Sequence, residues 1–289
     1  MEVRQADLAG SWYPGRGSDC INAIEGFMDT TISCPDTRGE VVGGIVPHAG
    51  WVFSGKIACN VIKCLHVQDG PDTCIIFGRH LHEGSPNFIM TKGRWETPLG
   101  GLSIDSDIAT ELSREFSLTI ETASRYEDDN TIEVQLPFLK YYFPDIKIVP
   151  MGLPPHPDSL KIAKRVVELS RQLGRKIVVI GSTDLTHYGY NYGFMPRGGG
   201  EEAVEWVTQV NDKRAIDLMV NMDEHTVLNA SFKDHNVCCP GAVAAAIVAA
   251  KELGAVKAKQ LVYGTSYDVR PDSSFVGYVG IVFECEYRS

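Results

Sequence analysis

Residues 41–50 read VVGGIVPHAG and contain the clearest strand signal in the chain. The run Val41–Val46 is short and apolar, as expected for a strand buried on both faces of a parallel sheet. After it, Pro47 and the small residues that follow His48 allow a tight turn, which leaves the imidazole projecting from the strand end. The stretch predicts a buried strand that ends in a histidine, with either a functional or a capping, hydrogen-bonded role.

Short apolar runs alternate with amphipathic stretches along the rest of the chain, which is the pattern of βαβ units. No linker-like stretch interrupts this pattern, so residues 1–289 are predicted to form one α/β domain. Strands are predicted at 41–46, 73–77, 88–91, 146–151, 176–181, 260–263 and 278–284. Helices are predicted at 19–29, 55–65, 105–116, 131–142, 157–173, 201–221 and 242–253.

Capping and loop signals refine this outline. Asn130 is predicted to be the N-cap of the helix at 131–142, with Glu133 placed as in a capping box. The glycine-containing stretches 189–200 and 269–277 are predicted to be long ordered loops. Such loops often line the binding sites of α/β proteins, so we expect them near the ends of the strands.

The charge pattern excludes two classes of partner. The chain has 27 basic and 37 acidic residues, a formal net charge of -10, and its basic residues are scattered. Nucleic acid and an anionic membrane are therefore not expected as main partners. The chain has no run of about 18 apolar residues, and its first residues, MEVR, lack the apolar core of a signal peptide. We therefore expect a soluble, cytoplasmic protein.

The eight cysteines form neither a C-x-x-C pair nor a zinc-ribbon spacing. In a large intracellular domain most cysteines are small buried hydrophobes, and we interpret Cys59, Cys64 and Cys74 in this way. Cys238 and Cys239 differ because they precede a helix. Adjacent cysteines rarely bond each other, so no disulfide is expected between these two.

The pair Cys238 and Cys239 is followed by Pro240, Gly241 and the small-residue run 242–250, which predicts a tightly packed helix. A thiolate at a helix N-terminus is stabilised by the helix dipole and is ready to bind a metal or to react. The alternative interpretation is a buried thiol in a tight turn.

A second strand end also contains histidine. Residues 78–82 read GRHLH and follow the predicted strand at 73–77. His80 and His82 alternate and point to the same side if the backbone stays extended. A lone histidine here is more often structural, but together with His48 it becomes a candidate ligand, because imidazole is the commonest nitrogen donor for Zn, Fe and Cu.

A third strand end is followed by STDLTHYG at 182–189. Asp184 and His187 share one face if a helical turn begins directly after the strand. A carboxylate near an imidazole fixes its tautomer and raises its basicity, as a general base requires. An Asp N-cap beside a surface histidine is the alternative. Because ligands collect at the carboxyl ends of strands in open α/β sheets, we expect one shared site for the three strand ends.

Read together, short motifs in the right order resemble the Memo family, whose prokaryotic members are called AmmeMemoRadiSam system protein B. The resemblance covers nearly the whole chain. The motifs are AGSWYP at 9–14, PHAG at 47–50 with FSG at 53–55, TPL at 97–99, Glu133 with LPF at 136–138, and D-x-x-HYG at 184–189.

This resemblance implies a LigB-like fold, a three-layer sandwich in which helices flank a mixed sheet, as in class III extradiol dioxygenases. It implies that His48, His80 and Cys238 bind one non-haem metal ion, with Fe(II) expected first. A cysteine in place of the dioxygenase carboxylate makes the site softer, so Cu or Zn also fits. It further implies that Asp184 and His187 flank the metal, with His187 at the position of the dioxygenase acid/base.

Two of these assignments have alternatives. Counting back from the TPL motif selects His80, whereas counting forward from Gly78 reaches a leucine, and His82 remains the other candidate. Spacing to the following helix selects Cys238, whereas spacing from the preceding His-Asn pair selects Cys239. Asn130 stands where the family commonly has a histidine.

Three functions follow. The first is a metal-dependent oxidoreductase, in which the metal binds a small molecule and O₂ while His187 moves protons. The second is a non-catalytic binding or scaffold protein whose cleft at the strand ends holds a peptide or small ligand. The third is a hydrolase with a metal-activated water. The presence of His48, Asp184 and His187 together favours chemistry.

Overall fold

The computed structural model describes residues 2–28, 31–35 and 39–286. The strands are β1 Val3–Arg4, β2 Val41–Val46, β3 Thr73–Gly78, β4 Asn87–Met90, β5 Arg94–Trp95, β6 Leu102–Ser103, β7 Leu118–Glu121, β8 Lys147–Gly152, β9 Ile177–Ser182, β10 His187–Tyr188, β11 Ala255–Thr265 and β12 Phe275–Cys285. The helices are α1 Gly17–Phe27, α2 Trp51–Lys63, α3 Ser106–Glu115, α4 Asn130–Glu133, α5 Leu136–Tyr142, α6 Pro157–Gln172, α7 Glu201–Trp206, α8 Asp212–Val220, α9 Glu224–Asp234, α10 Pro240–Leu253 and α11 Ser266–Val269.

The main sheet is mixed and has nine strands within the described ranges, in the order β10-β12-β2-β9-β3-β8-β4-β7, with β11 beside β12. Strands β2, β9, β3 and β8 run parallel, whereas β12 and β4 are antiparallel to their neighbours β2 and β8. Every residue of β2, β3 and β9 is buried, as their uninterrupted apolar runs predict.

Helices cover both faces of this sheet. Helix α2 packs on β2 and β12 together with α1 and α5, whereas α10 packs on β2, β9 and β3 together with α6. Glycines allow the close approach: a Cβ atom on Gly44 would lie 2.7 Å from Val61 in α2, and one on Gly181 would lie 2.8 Å from Ala246 in α10. The expected α/β fold, with helices flanking a mixed sheet, is confirmed.

The predicted elements are largely present, with differences at their ends. The helix predicted at 131–142 is broken between α4 and α5, and the one at 201–221 contains a π-helical turn, Val207–Asn211, between α7 and α8. Residue 29 of the first predicted helix lies outside the described residues. Helix α9 was not predicted, because only a few apolar residues such as Val227 and Leu228 mark its buried side. None of the described helices has the length and apolar content to cross a membrane.

The predicted capping box at residue 130 is wrong. The N-cap of α4 is Asp129, whose carboxylate accepts a hydrogen bond from the backbone N–H of Thr131 at 3.0 Å. The carboxylate of Glu133 instead accepts hydrogen bonds from the backbone N–H of Leu8 at 2.7 Å and from the hydroxyl of Tyr13 at 2.8 Å. Glu133 therefore fixes the N-terminal segment to the body of the fold.

The interpretation of Cys64 as a small free thiol is also wrong. Cys64 forms a disulfide with Cys34, 30 residues earlier in the chain, and so fastens the segment before β2 to the end of α2. Cys59 and Cys74 are free and buried, as predicted.

Candidate metal centre

The site lies where three parallel strands end side by side. Because β2, β9 and β3 are adjacent and parallel, the residues that follow them emerge at one edge of the sheet. These residues are His48, Asp184 and His80. The structure thus brings together the three strand ends that the sequence analysis assigned to one site.

Helix α10 brings two thiols to the same edge. Cys239 is its N-cap and Pro240 occupies its first turn, so the chain turns sharply where the cysteines stand. The backbone of Cys238 is paired with that of Asp184: Cys238 N–H donates to the carbonyl oxygen of Asp184, and Asp184 N–H donates to Cys238 Sγ, both at 3.1 Å. These bonds fix Cys238 against the end of β9.

Four possible ligand atoms, one each from His48, His80, Cys238 and Cys239, lie within 4.8 Å of one another. Cys238 Sγ lies 3.4 Å from His48 Nε2 and 3.6 Å from Cys239 Sγ, and Cys239 Sγ lies 3.5 Å from His80 Nδ1. A tetrahedral ion with bonds of about 2.0–2.3 Å separates its ligand atoms by about 3.3–3.8 Å. The donor types and these spacings therefore fit a single transition-metal ion.

The tautomer of His48 is set by Ser182. The Ser182 hydroxyl donates to the carbonyl oxygen of Thr131 at 2.6 Å and lies 3.0 Å from His48 Nδ1. Because the Ser182 hydroxyl donates its only proton to the Thr131 carbonyl, its oxygen accepts a hydrogen bond from Nδ1–H of His48. Neutral His48 therefore presents the lone pair of Nε2 to Cys238, which is the orientation that a metal ligand requires.

Asn130 sets the tautomer of His80 in the same way. Its Nδ2 donates to the carbonyl oxygen of His48 at 3.1 Å, so its Oδ1, 3.3 Å from His80 Nε2, accepts a proton from that ring. Neutral His80 is left with a lone pair on Nδ1, the atom that faces Cys239. From the sequence, Asn130 was expected to be a helix N-cap at a position where the family commonly has a histidine, and this role beside His80 was not foreseen.

Charge around the site favours a thiolate. Burial raises the pKa of the Cys238 thiol, but the hydrogen bond from Cys239 and the charge of His48 outweigh it and hold that pKa well below its ordinary value. Burial lowers the pKa of His48, yet the charges of Asp184 and Cys238 raise it to about 9. These directions favour an imidazolium and thiolate pair, and a metal cation bound here would take the place of the proton.

Asp184 is buried, and among the described residues its carboxylate is hydrogen-bonded to His48 and not to His187. Its carboxylate accepts the backbone N–H of His48 at 2.8 Å and lies 3.8 Å from His48 Nε2. The proposed helical turn after β9 is wrong, because His187 lies in strand β10, paired with Val276 of β12. His187 Nδ1 lies 3.2 Å from the carbonyl oxygen of Leu185, so this nitrogen carries the proton and Nε2 is the free base.

A cleft of about 690 Å³ opens onto the site. His48, His80, Asp184, His187 and Asn130 line it, and aromatic walls come from Trp12, Phe53, Tyr192 and Tyr278. The loops predicted at 189–200 and 269–277 both line it, the second through Arg270 and Asp272. His82, the alternative to His80, is outside this cleft and outside the four-donor group.

The fold and this group of imidazoles and thiols describe an α/β protein with a candidate metal centre at the strand ends, and the comparisons with known proteins give its family. The family model described as "Memo-like protein" matches residues 4–282. A MEMO1 family protein of Pyrococcus furiosus is 36% identical, over 97% of this chain and 98% of the relative. One of Methanopyrus kandleri is 34% identical over 97% and 98%. The chain belongs to the Memo family.

A solved structure shares the fold at low sequence identity. The crystal structure of an uncharacterized protein of Escherichia coli K12 matches with a TM-score of 0.52 and 11% identity, over 86% of this chain and all of the other. This likeness bears on the fold alone.

Proposed function

We propose that the protein is a metal-dependent oxidoreductase that binds one redox-active ion, Fe(II) or copper, through His48, His80 and Cys238 and acts on a small molecule in the adjoining cleft. When bound, such an ion supplies electron transfer and a site for O₂. One observation carries the proposal: both imidazoles are held in the tautomers that turn their free lone pairs toward the thiols of Cys238 and Cys239.

The residues around the ion have separate roles. Asp184 holds the backbone of His48 and adds a negative charge beside a buried cation. His187 faces the cleft with Nδ1 bonded to a carbonyl, so its Nε2 is the atom that accepts or returns a proton of the bound molecule. The aromatic walls exclude water from one side of that molecule and favour a flat or apolar compound.

Cys239 supports a second candidate, a non-catalytic metal-holding or scaffold protein. Its thiol is buried and lies as close to the neighbouring donors as Cys238 does. If all four donors bind at once, a tetrahedral ion such as Zn has no open position for a reactant. The number of sulfur ligands therefore distinguishes the two candidate functions. One sulfur ligand leaves a coordination position open for a reactant, whereas two sulfur ligands fill all four positions.

The proposal is tested by elemental analysis of anaerobically purified protein. A variant with His48→Ala, His80→Ala and Cys238→Ala should lose its Fe or Cu, because no pair of strong donors remains. A control variant removes the same residue types outside the site: His66→Ala, His225→Ala and Cys285→Ala. Equal metal content in both variants would reject the proposal, and no bound metal in the wild type would do so as well.

A further inference from the structure

The candidate metal centre can be reached from a second cleft, because Cys238 lines a different cleft from the one described above. This second cleft has a volume of about 340 Å³. His48, His80 and Asp184 line the first cleft but not the second, whereas Cys238 lines the second but not the first. The side chains of His187 and Tyr192 line both clefts and separate them.

Two histidines with no role in the first cleft line the second. His82 and His235 are exposed, and within the described part of the chain neither imidazole makes a hydrogen bond. His235 is the C-cap of α9 and has a left-handed backbone, φ 49°, where glycine or asparagine is usual. Its ring rests against Phe194 with the ring centres 5.1 Å apart. Both rings therefore keep their nitrogen atoms available.

The chemistry of this lining suits an incoming metal ion better than an organic substrate. His82, His235, His187 and the thiol of Cys238 are borderline or soft donors, which transition-metal ions prefer. Among the described residues, no lysine or arginine lines the second cleft, so no fixed positive side chain opposes the entry of a cation there. The remaining walls are mainly apolar, including Phe232, which is 51% exposed at the surface.

We propose that the second cleft is the entrance for the metal ion: His82 and His235 bind the incoming ion and pass it inward to Cys238. This inference rests on the proposed metal site. The transfer is ligand exchange without electron transfer: bonds from the ion to the outer imidazoles break as bonds to Cys238, His48 and His80 form. Cys238 binds as a thiolate, and the proton displaced from the imidazolium and thiolate pair leaves to water.

The two clefts separate the path of the metal ion from the binding site of the organic molecule. An ion can reach Cys238 while an organic molecule occupies the first cleft, because the two openings share only the wall formed by His187 and Tyr192. The outer histidines act on the rate of loading alone, since they lie outside the group of four donors that holds the ion.

The test follows Co(II) entering metal-free protein under anaerobic conditions, by the absorption that appears when thiolate binds cobalt. The double variant His82→Ala and His235→Ala should load several-fold more slowly than the wild type and reach the same final absorption. The control is His66→Ala with His225→Ala, two exposed histidines away from both clefts, which should load at the wild-type rate.

A second pair of variants narrows each cleft in turn. Leu81→Trp fills part of the second cleft and should slow loading, whereas Ser274→Trp fills part of the first and should not. Equal loading rates for the wild type and the double histidine variant would overturn the entrance while leaving the metal site in place. If cobalt gave no thiolate absorption in the wild type, the metal site itself would be wrong, and the entrance would fall with it.

Discussion

Asn130 Oδ1 lies 3.3 Å from Nε2 of His80, and this contact sets which nitrogen of the imidazole is free to bind a metal. The other end of the same amide is bonded to the backbone of His48, so a single side chain links both imidazoles. The candidate centre is therefore organised by a residue that is not itself a ligand.

Replacing Asn130 with leucine should weaken metal binding, because His80 loses the acceptor that fixes its tautomer. Groups that orient a ligand typically contribute about 10–100-fold to metal affinity. Competition titration with a chelator measures the change, and Asn229→Leu, at an exposed position on α9, is the matched control. An affinity equal to that of the wild type would show that Asn130 does not orient the site.

Replacing His187 with alanine should leave the fold and metal content unchanged and reduce metal-dependent turnover by about 10²–10⁴-fold, the usual contribution of proton transfer. The assay is O₂ consumption by the iron-loaded protein with a panel of catechols and related reductants. His225→Ala, an exposed histidine outside the site, should behave as the wild type does. Wild-type rates in His187→Ala would remove it from the mechanism.

Asp212 should make stability depend on pH. Burial raises its pKa from 3.8 to about 6, against the hydrogen bonds from Thr186 and Tyr263 that lower it. The folded state therefore binds the proton more tightly, and stability falls as pH rises from about 4 to 6, by about 3 kcal/mol. Urea unfolding at several pH values should show this fall, and Asp212→Asn should remove most of it. A variant with an unchanged pH profile would contradict the assignment.

The disulfide between Cys34 and Cys64 should stabilise the fold. Closing a loop of this length contributes about 3–4 kcal/mol by restricting the unfolded chain. A reductant should therefore lower the free energy of unfolding of the wild type, whereas the double variant Cys34→Ser and Cys64→Ser should be insensitive to it. Identical urea midpoints of the wild type with and without reductant would show that the bond contributes nothing.

Sequence reasoning found the parts of the site that follow directly from strand ends. The apolar run Val41–Val46 predicts a buried strand, and His48 follows its end. His80 and Asp184 follow the ends of two other predicted strands in the same way. It could not find the role of Asn130, because that depends on α4 lying over the end of β3. The disulfide of Cys64 was missed for a similar reason, since a separation of 30 residues carries no spacing signal.

The close approach of both thiols at this edge of the sheet was likewise beyond the sequence. Spacing to the following helix selected Cys238 and spacing from the preceding His-Asn pair selected Cys239, so the two were treated as alternatives. The turn into α10 places both Sγ atoms on the same side, 3.6 Å apart. The sequence signal was a pair of cysteines directly before a proline. The directions of their side chains depend on the residue at which α10 begins.

The central claim, that imidazole and thiolate together hold one metal ion, is tested most directly by X-ray absorption at the metal edge of anaerobically purified protein. We expect imidazole nitrogen at about 2.0–2.1 Å and at least one sulfur at about 2.3 Å, with the sulfur signal reduced in Cys238→Ser. One sulfur ligand per metal ion would favour the oxidoreductase. Two sulfur ligands would favour the metal-holding protein, in which no coordination position is open. A shell of oxygen and nitrogen alone, with no sulfur, would contradict the claim.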